Sequence, residues 1–261
     1  MRACIGKPVR VKREVAPFDH TGTAEVMIPL KDENPSRRFP VITYALIGVN
    51  IAVFCFELSI PQQQLQNALQ QHYGMVPAHV TEVLQGERGM LSGLIIPLFA
   101  SMFIHGGFLH LGGNMLFLHV FGDNVEAKFR HGRFLVFYLV CGVAGSCVHY
   151  ILASADSTVP TIGASGAIAG VLGAYIVMWP KVRVITVIPI FYFIRIVPLP
   201  AFVVLGLWFV LQLVNGAGSL QTETGGGVAY WAHVGGFATG TLLAFLISLG
   251  SGKREPRRRK R

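Results

Sequence analysis

The hydrophobic pattern of the chain is dominated by long apolar segments that alternate with polar or charged connections. A helix crosses the apolar core of a bilayer, about 30 Å thick, with about 20 residues, and about 17 suffice. Six segments meet this requirement and predict six membrane-spanning helices. In chain order, these spans are residues 40–58, 109–129, 133–152, 163–179, 198–215 and 230–249.

Two further apolar segments are too short to cross a bilayer. Residues 91–104 are interrupted by Pro97, and residues 184–194 lie between Arg183 and Arg195. Both segments fall below the minimum of about 17 residues. We therefore expect them to lie in the membrane interface.

Composition supports an all-α fold, in which a polytopic membrane protein forms a compact bundle of six transmembrane helices. Hydrophobic residues make up 52% of the 261 residues and charged residues only 13%, which excludes an ordinary water-soluble domain. The 30 glycines favour close packing of helices in lipid. The four cysteines form no CxxC pair, so the sequence predicts no disulfide framework, no zinc site and no cofactor.

The net charge of +9 raises the question of nucleic-acid binding. The basic residues, however, stand at the borders of the apolar spans and form no soluble basic face. With six spans, every Lys and Arg except Arg88 falls on one side of the membrane. The positive-inside rule then places both termini in the cytoplasm. We predict no nucleic-acid partner, and a location in the cell inner (cytoplasmic) membrane.

The same pattern predicts the organisation of the chain. Residues 1–39 form a polar, basic, cytoplasmic tail without the apolar core of a removable signal peptide. Residues 40–250 form the membrane domain, with an exterior loop at 59–108, and residues 251–261 form a second basic tail in the cytoplasm.

Several polar side chains interrupt the predicted spans. His110 and Asn114 lie in the second span, Ser165 opens the fourth, and His233 lies near the start of the sixth. Polar residues are costly in lipid and indicate a functional site. Asn114, Ser165 and His233 each lie about 22–24 Å from the inner end of their span, at about 1.5 Å per residue. This coincidence of depth predicts that they meet in one layer below the outer surface.

These residue types suit nucleophilic catalysis. A serine hydroxyl needs a base to take its proton, and histidine is well suited to this task near neutral pH, so Ser165 and His233 form a candidate dyad. Gly163 and Gly166 frame a small-residue turn that exposes the hydroxyl and the first unpaired backbone N–H groups of a helix. His110 and Asn114 are spaced i, i+4 on one helix face and supply further donors to an oxyanion.

Other polar and small residues favour structural roles. Glu126, at the inner end of the second span, is predicted to hold the inner loop through neighbours such as Lys128 or Arg130. Two glycine pairs have the GxxxG spacing that permits close helix contact. They are Gly166 with Gly170 and Gly236 with Gly240. Taken singly, a serine at a helix start or a histidine near a helix end is more often structural than catalytic, so the shared depth carries the enzyme hypothesis.

Three motifs in this order resemble those of the rhomboid intramembrane serine proteases of the six-span bacterial type. They are HGGFLHLGGN at 105–114, GASG at 163–166 and AHVGGFATG at 232–240. The resemblance covers roughly residues 93–250 and implies hydrolysis of a peptide bond in or next to a transmembrane helix of another protein, near the outer face of the bilayer.

The resemblance also implies a role for each matching residue. Ser165 matches the nucleophile and His233 the general base. His110, Asn114 and the Ser165 backbone N–H match the oxyanion hole, and His105 matches a supporting histidine. Gly236 and Gly240 match the glycines that let the sixth span approach the fourth. Some members stack an aromatic residue on the catalytic histidine four positions after the nucleophile, but this chain has Ala169 there.

Two alternatives to an active protease remain open from the sequence. One is a relative without catalytic activity that binds transmembrane clients. The other is a channel or transporter in which the buried histidines line a path for a small solute. Clustering of the polar residues in one layer and the lack of a visible inverted repeat favour the protease over the channel.

Overall fold

A computed structural model describes residues 27–250, except for residues 35, 37, 61, 153–154, 191–192 and 220–227. Within this part, six long helices follow the six predicted spans. We label them α1 (Val41–Leu58), α2 (Phe108–Phe129), α3 (His131–Leu152), α4 (Ser165–Met178), α5 (Ala201–Ser219) and α6 (Tyr230–Gly250). Residues 1–26 and 251–261, most of the two predicted tails, lie outside the described residues.

The length and composition of these helices are those of a polytopic membrane protein. Among the described residues, α1, α3, α5 and α6 are each long and apolar enough to cross a bilayer. Helix α2 qualifies together with the preceding helical segment Leu91–Phe103, from which it is bent by 82°. Helix α4 has only 14 residues. Six crossings therefore remain a prediction, while the helical, multi-pass architecture is confirmed.

Several short helical segments precede α2 and belong to the predicted exterior loop. The sequence expectation for residues 91–104 was a segment lying in the interface, and the chain there is helical but broken. The α-helical pieces are Gln62–Gln64, Gln71–Tyr73, Pro77–Gln85 and Ile96–Ala100. The π-helical pieces are Leu65–Gln70 and Leu91–Ile95, and Ser101–Phe103 is a 3₁₀ turn.

Helix α4 is the centre of the bundle. All of its residues from Gly166 to Tyr175 are buried, and it contacts α2, α3, α5 and α6. At about 1.5 Å per residue, its 14 residues extend about 21 Å, less than the bilayer core of about 30 Å. A short helix whose last turn reaches one boundary must therefore begin below the opposite one. The length of α4 is therefore compatible with the predicted position of Ser165, its first residue, below one bilayer surface.

The close approach of α4 to α6 depends on glycine. A Cβ atom added at Gly236 would lie 1.9 Å from the carbonyl oxygen of Gly166, and one at Gly240 would lie 2.0 Å from that of Gly170. No side chain fits between backbones at this distance. The GxxxG spacings therefore permit direct backbone contact between the two helices that carry Ser165 and His233.

The structure adds a small antiparallel sheet that sequence patterning did not predict. Its strands, in spatial order, are β1 (Ile28–Asp32), β2 (Arg183–Ile190) and β3 (Phe193–Pro200). Residues 184–194 were expected to lie in the interface, and those of them that the structure describes belong to the hairpin of β2 and β3. The reason is local: Val184 to Ile188 are all β-branched, which favours a strand over a helix. Residues 198–200 pair with β2 as the end of β3, so α5 begins at Ala201, whereas the predicted span began at residue 198.

Strand β1 joins the segment before the first span to the helix bundle. The Asp32 carboxylate is 6% exposed and accepts hydrogen bonds from the Tyr175 hydroxyl in α4 and, at 2.9 Å, from the Asn124 side-chain amide in α2. Burial raises the pKa of Asp32 above its usual range. Part of the predicted tail is therefore an ordered component of the domain.

Substitution of Asp32 by alanine is expected to lower the free energy of unfolding by about 1–3 kcal/mol, because two buried donors in α2 and α4 lose their acceptor. Thermal unfolding in detergent micelles measures this effect. The adjacent exposed Lys31, changed to alanine, is the matched control. Equal stability of the two variants would show that the carboxylate does not anchor β1.

Candidate active site

Ser165 and His233 lie within hydrogen-bonding distance of each other. His233 Nε2 is 2.7 Å from Ser165 Oγ. Ser165 is the first residue of α4, and His233 lies in the first turn of α6 and is only 7% exposed. The backbone contact between these helices brings the two side chains together. In this geometry the imidazole can accept the hydroxyl proton at Nε2 if its own proton is on Nδ1.

The other ring nitrogen of His233 also has a partner. His233 Nδ1 is 2.8 Å from the side-chain oxygen Oε1 of Gln212 in α5, and the ring of Trp208 lies 5.8 Å from the imidazole. Sequence reasoning missed Gln212 and left the orientation of His233 unassigned. A signal was available, because Gln212 is a polar residue inside an apolar span, the same criterion that identified Asn114.

His110 and Asn114 face the turn that precedes Ser165. A Cβ atom added at Gly163 would lie 2.6 Å from His110 Nε2 and 3.8 Å from Asn114 Nδ2. His110 Nδ1 accepts a hydrogen bond of 3.3 Å from the Gly106 backbone N–H, so Nε2 carries the proton of the neutral ring. One Asn114 N–H donates to the His110 carbonyl oxygen at 3.0 Å, and no residue that the structure describes accepts a hydrogen bond from the other. Both side chains thus present donors beside Ser165.

Gly163 is required at this turn for two reasons. Its φ of +112° lies in a region that residues with side chains rarely adopt. A side chain would also displace His110, as the 2.6 Å distance shows. The Gly163 N–H donates to the Ser101 carbonyl oxygen at 2.8 Å and fixes the turn against the segment before α2.

A small cavity adjoins the serine. Its volume is about 10 Å³, about the space that one water molecule needs. The polar groups around it include Ser101, Ser146 and Thr161, together with Ser165 itself. The cavity therefore offers about the volume of one water molecule and has hydroxyl groups in its lining.

His105 lies against His110 in the interior of the protein. Its side chain is 1% exposed, and its ring lies edge-on to that of His110 with 5.0 Å between centroids. Its backbone N–H donates to both oxygens of the buried Glu57 carboxylate at the end of α1. His105 therefore contacts an oxyanion candidate, and Glu57 is a further buried group that sequence reasoning missed.

Glu126 lies at the opposite end of α2 and does not contact the dyad. It was expected to hold the inner loop through neighbours such as Lys128 or Arg130, and its side chain contacts His131 after this loop, where Lys128 or Arg130 was expected. Its carboxylate accepts from the backbone N–H groups of Ile42 and Thr43 and from the His131 ring. The first backbone N–H groups of a helix have no acceptor within the helix, and the helix N-terminus favours a negative charge. The start of α1 therefore binds the Glu126 carboxylate, while Lys and Arg can be solvated.

Comparison with known proteins places the site within a family. A profile described as the Rhomboid domain matches residues 92–250. The mitochondrial Rhomboid protein 1 of Saccharomyces cerevisiae is 30% identical over 222 residues, covering 83% of this chain and 56% of the relative. Rhomboid protease GluP of Bacillus subtilis is 34% identical over 135 residues, covering 52% and 24%. RHOMBOID-like protein 4 of Arabidopsis thaliana is 33% identical over 168 residues, covering 64% and 36%.

The chain spans about half the length of the yeast relative, and about a quarter and a third of the lengths of the bacterial and plant relatives. The match to the family profile covers more than half of this chain and contains Ser165, His233, His110 and Asn114. The protein therefore belongs to the rhomboid family of polytopic membrane proteins.

Proposed function

We propose that the protein is an intramembrane serine endopeptidase that cleaves transmembrane or juxtamembrane segments of other membrane proteins. The observation that carries this proposal is the 2.7 Å contact between Ser165 Oγ and His233 Nε2, with the second ring nitrogen held by an acceptor. The name of the Bacillus subtilis relative, a rhomboid protease, points to the same activity.

The reaction proceeds in two stages. In the first, Ser165 Oγ attacks the scissile carbonyl carbon while His233 Nε2 takes the hydroxyl proton, and the protonated ring then passes that proton to the leaving amine. This leaves an acyl ester on Ser165. In the second stage, His233 takes a proton from a water molecule that attacks the ester, and returns it to Ser165 Oγ as the carboxylic acid product departs.

Each attack places a negative charge on the former carbonyl oxygen. His110 Nε2–H, the available Asn114 N–H and the backbone N–H of Ser165 all lie around the turn at Gly163 and can bind this oxyanion. Donors that are already oriented are worth most in a site with little water. The small cavity beside Ser165 provides a position for the attacking water in the second stage.

The depth of Ser165 determines what kind of substrate fits. A peptide bond within a membrane helix is shielded by its own hydrogen bonds, so the substrate must unwind locally to reach the serine. We expect small or helix-breaking residues near the cleaved bond. With both termini in the cytoplasm, as charge distribution predicts, the Ser165 end of α4 faces the outer side of the cell inner membrane.

Loss of an oxyanion donor provides a test of the site that does not remove the dyad. His110→Ala is expected to lower kcat by about 10²–10³-fold with little change in KM, because the lost bond forms mainly in the transition state. His119→Ala is the matched control, since His119 lies on the same helix and packs beside Tyr44. Equal kcat values for the two variants would remove His110 from the oxyanion hole.

The proposal is tested with the full chain reconstituted in liposomes and a labelled single-span substrate. A Gly-Pro pair is moved stepwise along the substrate helix, and the products are identified by mass spectrometry. We expect cleavage only where the pair lies near the depth of Ser165, below one bilayer surface. The same substrate with Leu-Leu in place of the pair is the control. Cleavage confined to water-exposed loops would contradict an intramembrane activity.

A further inference from the structure

The third polar side chain at the dyad comes from α5. Gln212 is 3% exposed and is the first polar residue of α5, after eleven apolar or glycine residues. A buried amide is costly unless its polar atoms have partners. Its oxygen Oε1 is 2.8 Å from His233 Nδ1. This contact connects α5 to His233, the general base of the proposed protease.

The direction of this hydrogen bond decides which nitrogen of His233 acts as the base. An amide oxygen only accepts, so at 2.8 Å it requires a proton on Nδ1. The Nε2 lone pair then points to Ser165 Oγ, at 2.7 Å. An acceptor at the distal nitrogen therefore selects the tautomer that can take the serine proton, and it fixes the rotation of the ring.

A second side chain of α5 holds the same ring. Trp208, one helical turn before Gln212, lies 5.8 Å from the imidazole with an angle of 34° between the planes. On α4, the position four residues after Ser165 is the small, fully buried Ala169. The imidazole is thus oriented mainly from α5, where a hydrogen bond and an aromatic face converge on it.

We propose that Gln212 is a positioning residue that completes a Ser165–His233–Gln212 relay with a neutral third member. This inference rests on the proposed function, because it concerns the base of that reaction. Gln212 touches neither substrate nor nucleophile and acts only through His233. A neutral amide orients the ring and selects its tautomer, but it does not compensate the positive charge that the ring acquires.

The test measures the rate at which a fluorophosphonate probe labels Ser165 in the full chain, in liposomes, from pH 5 to pH 9. This reaction needs the same proton transfer as peptide hydrolysis but no identified substrate. Gln212→Met keeps the length of the side chain and removes the acceptor. Gln212→Glu keeps an oxygen at the same reach. Leu213→Met, on the exposed side of α5, is the matched control.

We expect Gln212→Met to slow labelling by about 10–100-fold, less than the factor of about 10²–10⁴ that a general base contributes, because His233 itself remains. Gln212→Glu should recover most of this loss. An ionised Glu would also stabilise the charged ring and move the acid limb of the pH–rate profile to higher pH. His110 and His149 are the titratable groups whose charges bear on His233, and all variants retain them.

The possible outcomes separate this inference from the proposed function. Wild-type labelling that Ser165→Ala does not abolish would refute the assignment of the nucleophile. If the wild-type chain is labelled at Ser165 and Gln212→Met is labelled as fast as Leu213→Met, the role of Gln212 is overturned and the proposed function stands. If Gln212→Met and Gln212→Glu slow labelling equally, and their unfolding temperatures match that of the control, then Gln212 acts through packing and not through its hydrogen bond.

Discussion

Replacement of Ser165 by alanine is expected to reduce substrate cleavage by at least about 10⁴-fold, to the background rate. Removing a catalytic serine from a relay costs nearly as much as removing the whole relay, because the remaining base has no hydroxyl to activate. The change is small and leaves the backbone N–H at the start of α4 in place. Quantitative detection of labelled cleavage products in liposomes measures the loss.

Ser248→Ala is the control for this experiment. The Ser248 hydroxyl lies in the last turns of α6 and donates to the Ala244 carbonyl oxygen, far along the helix from His233. The Ser248→Ala substitution removes a hydroxyl oxygen from the same helix bundle without changing the dyad. Cleavage by Ser165→Ala at the rate of Ser248→Ala would mean that another group performs the attack.

Substitution of Gly240 by alanine is expected to disrupt both stability and activity. The new Cβ atom would lie 2.0 Å from the Gly170 carbonyl oxygen and 2.6 Å from the Gly170 Cα, both backbone atoms that cannot rotate away. Helices α4 and α6 must therefore separate, at a cost of about 1–3 kcal/mol or more. Because α4 carries Ser165 and α6 carries His233, their separation also breaks the proposed dyad, and activity should fall at least about tenfold.

Gly206→Ala on helix α5 provides the comparison, since a Cβ atom there would have no neighbour within 4 Å among the described residues packed around the helix. Thermal unfolding in detergent, together with cleavage rates, measures both consequences. If Gly240→Ala were as stable and as active as Gly206→Ala, the backbone contact between α4 and α6 would not hold the site together.

Most of the helical architecture follows from hydropathy. Each predicted span lies within a few residues of one of the helices α1 to α6, because apolar length is the dominant physical constraint on a chain in a bilayer. The exceptions have local causes. Strand β3 includes residues 198–200, so α5 begins three residues later than the predicted span. Strand β1 forms in a segment whose polar composition indicated only a tail.

The candidate site was also accessible from sequence, because an apolar span makes a polar residue conspicuous. Depth along the helices predicted that Asn114, Ser165 and His233 share one layer, and the structure brings Ser165 and His233 into contact. Depth alone does not say which way a side chain points. The contact of Gln212 with His233 and the partners of Glu126 therefore emerged only with the packing of neighbouring helices, which no single segment encodes.

The alternatives to proteolysis predict a different chemical state for Ser165. A relative that only binds clients, or a channel lined by histidines, needs no base beside the serine. A serine hydroxyl without a base is a poor nucleophile. The reactivity of Ser165, and its dependence on His233, therefore distinguishes the protease from both alternatives without knowledge of the substrate.

The most direct measurement is the intact mass of the purified protein after treatment with a fluorophosphonate, followed by sequencing of the labelled peptide. For the wild-type chain we predict a single adduct on Ser165. For His233→Ala, folded as judged by thermal unfolding, we predict no adduct under the same conditions although Ser165 is present. An adduct on a different residue, or labelling of His233→Ala at the wild-type rate, would contradict the assignment of Ser165 and His233 as nucleophile and base.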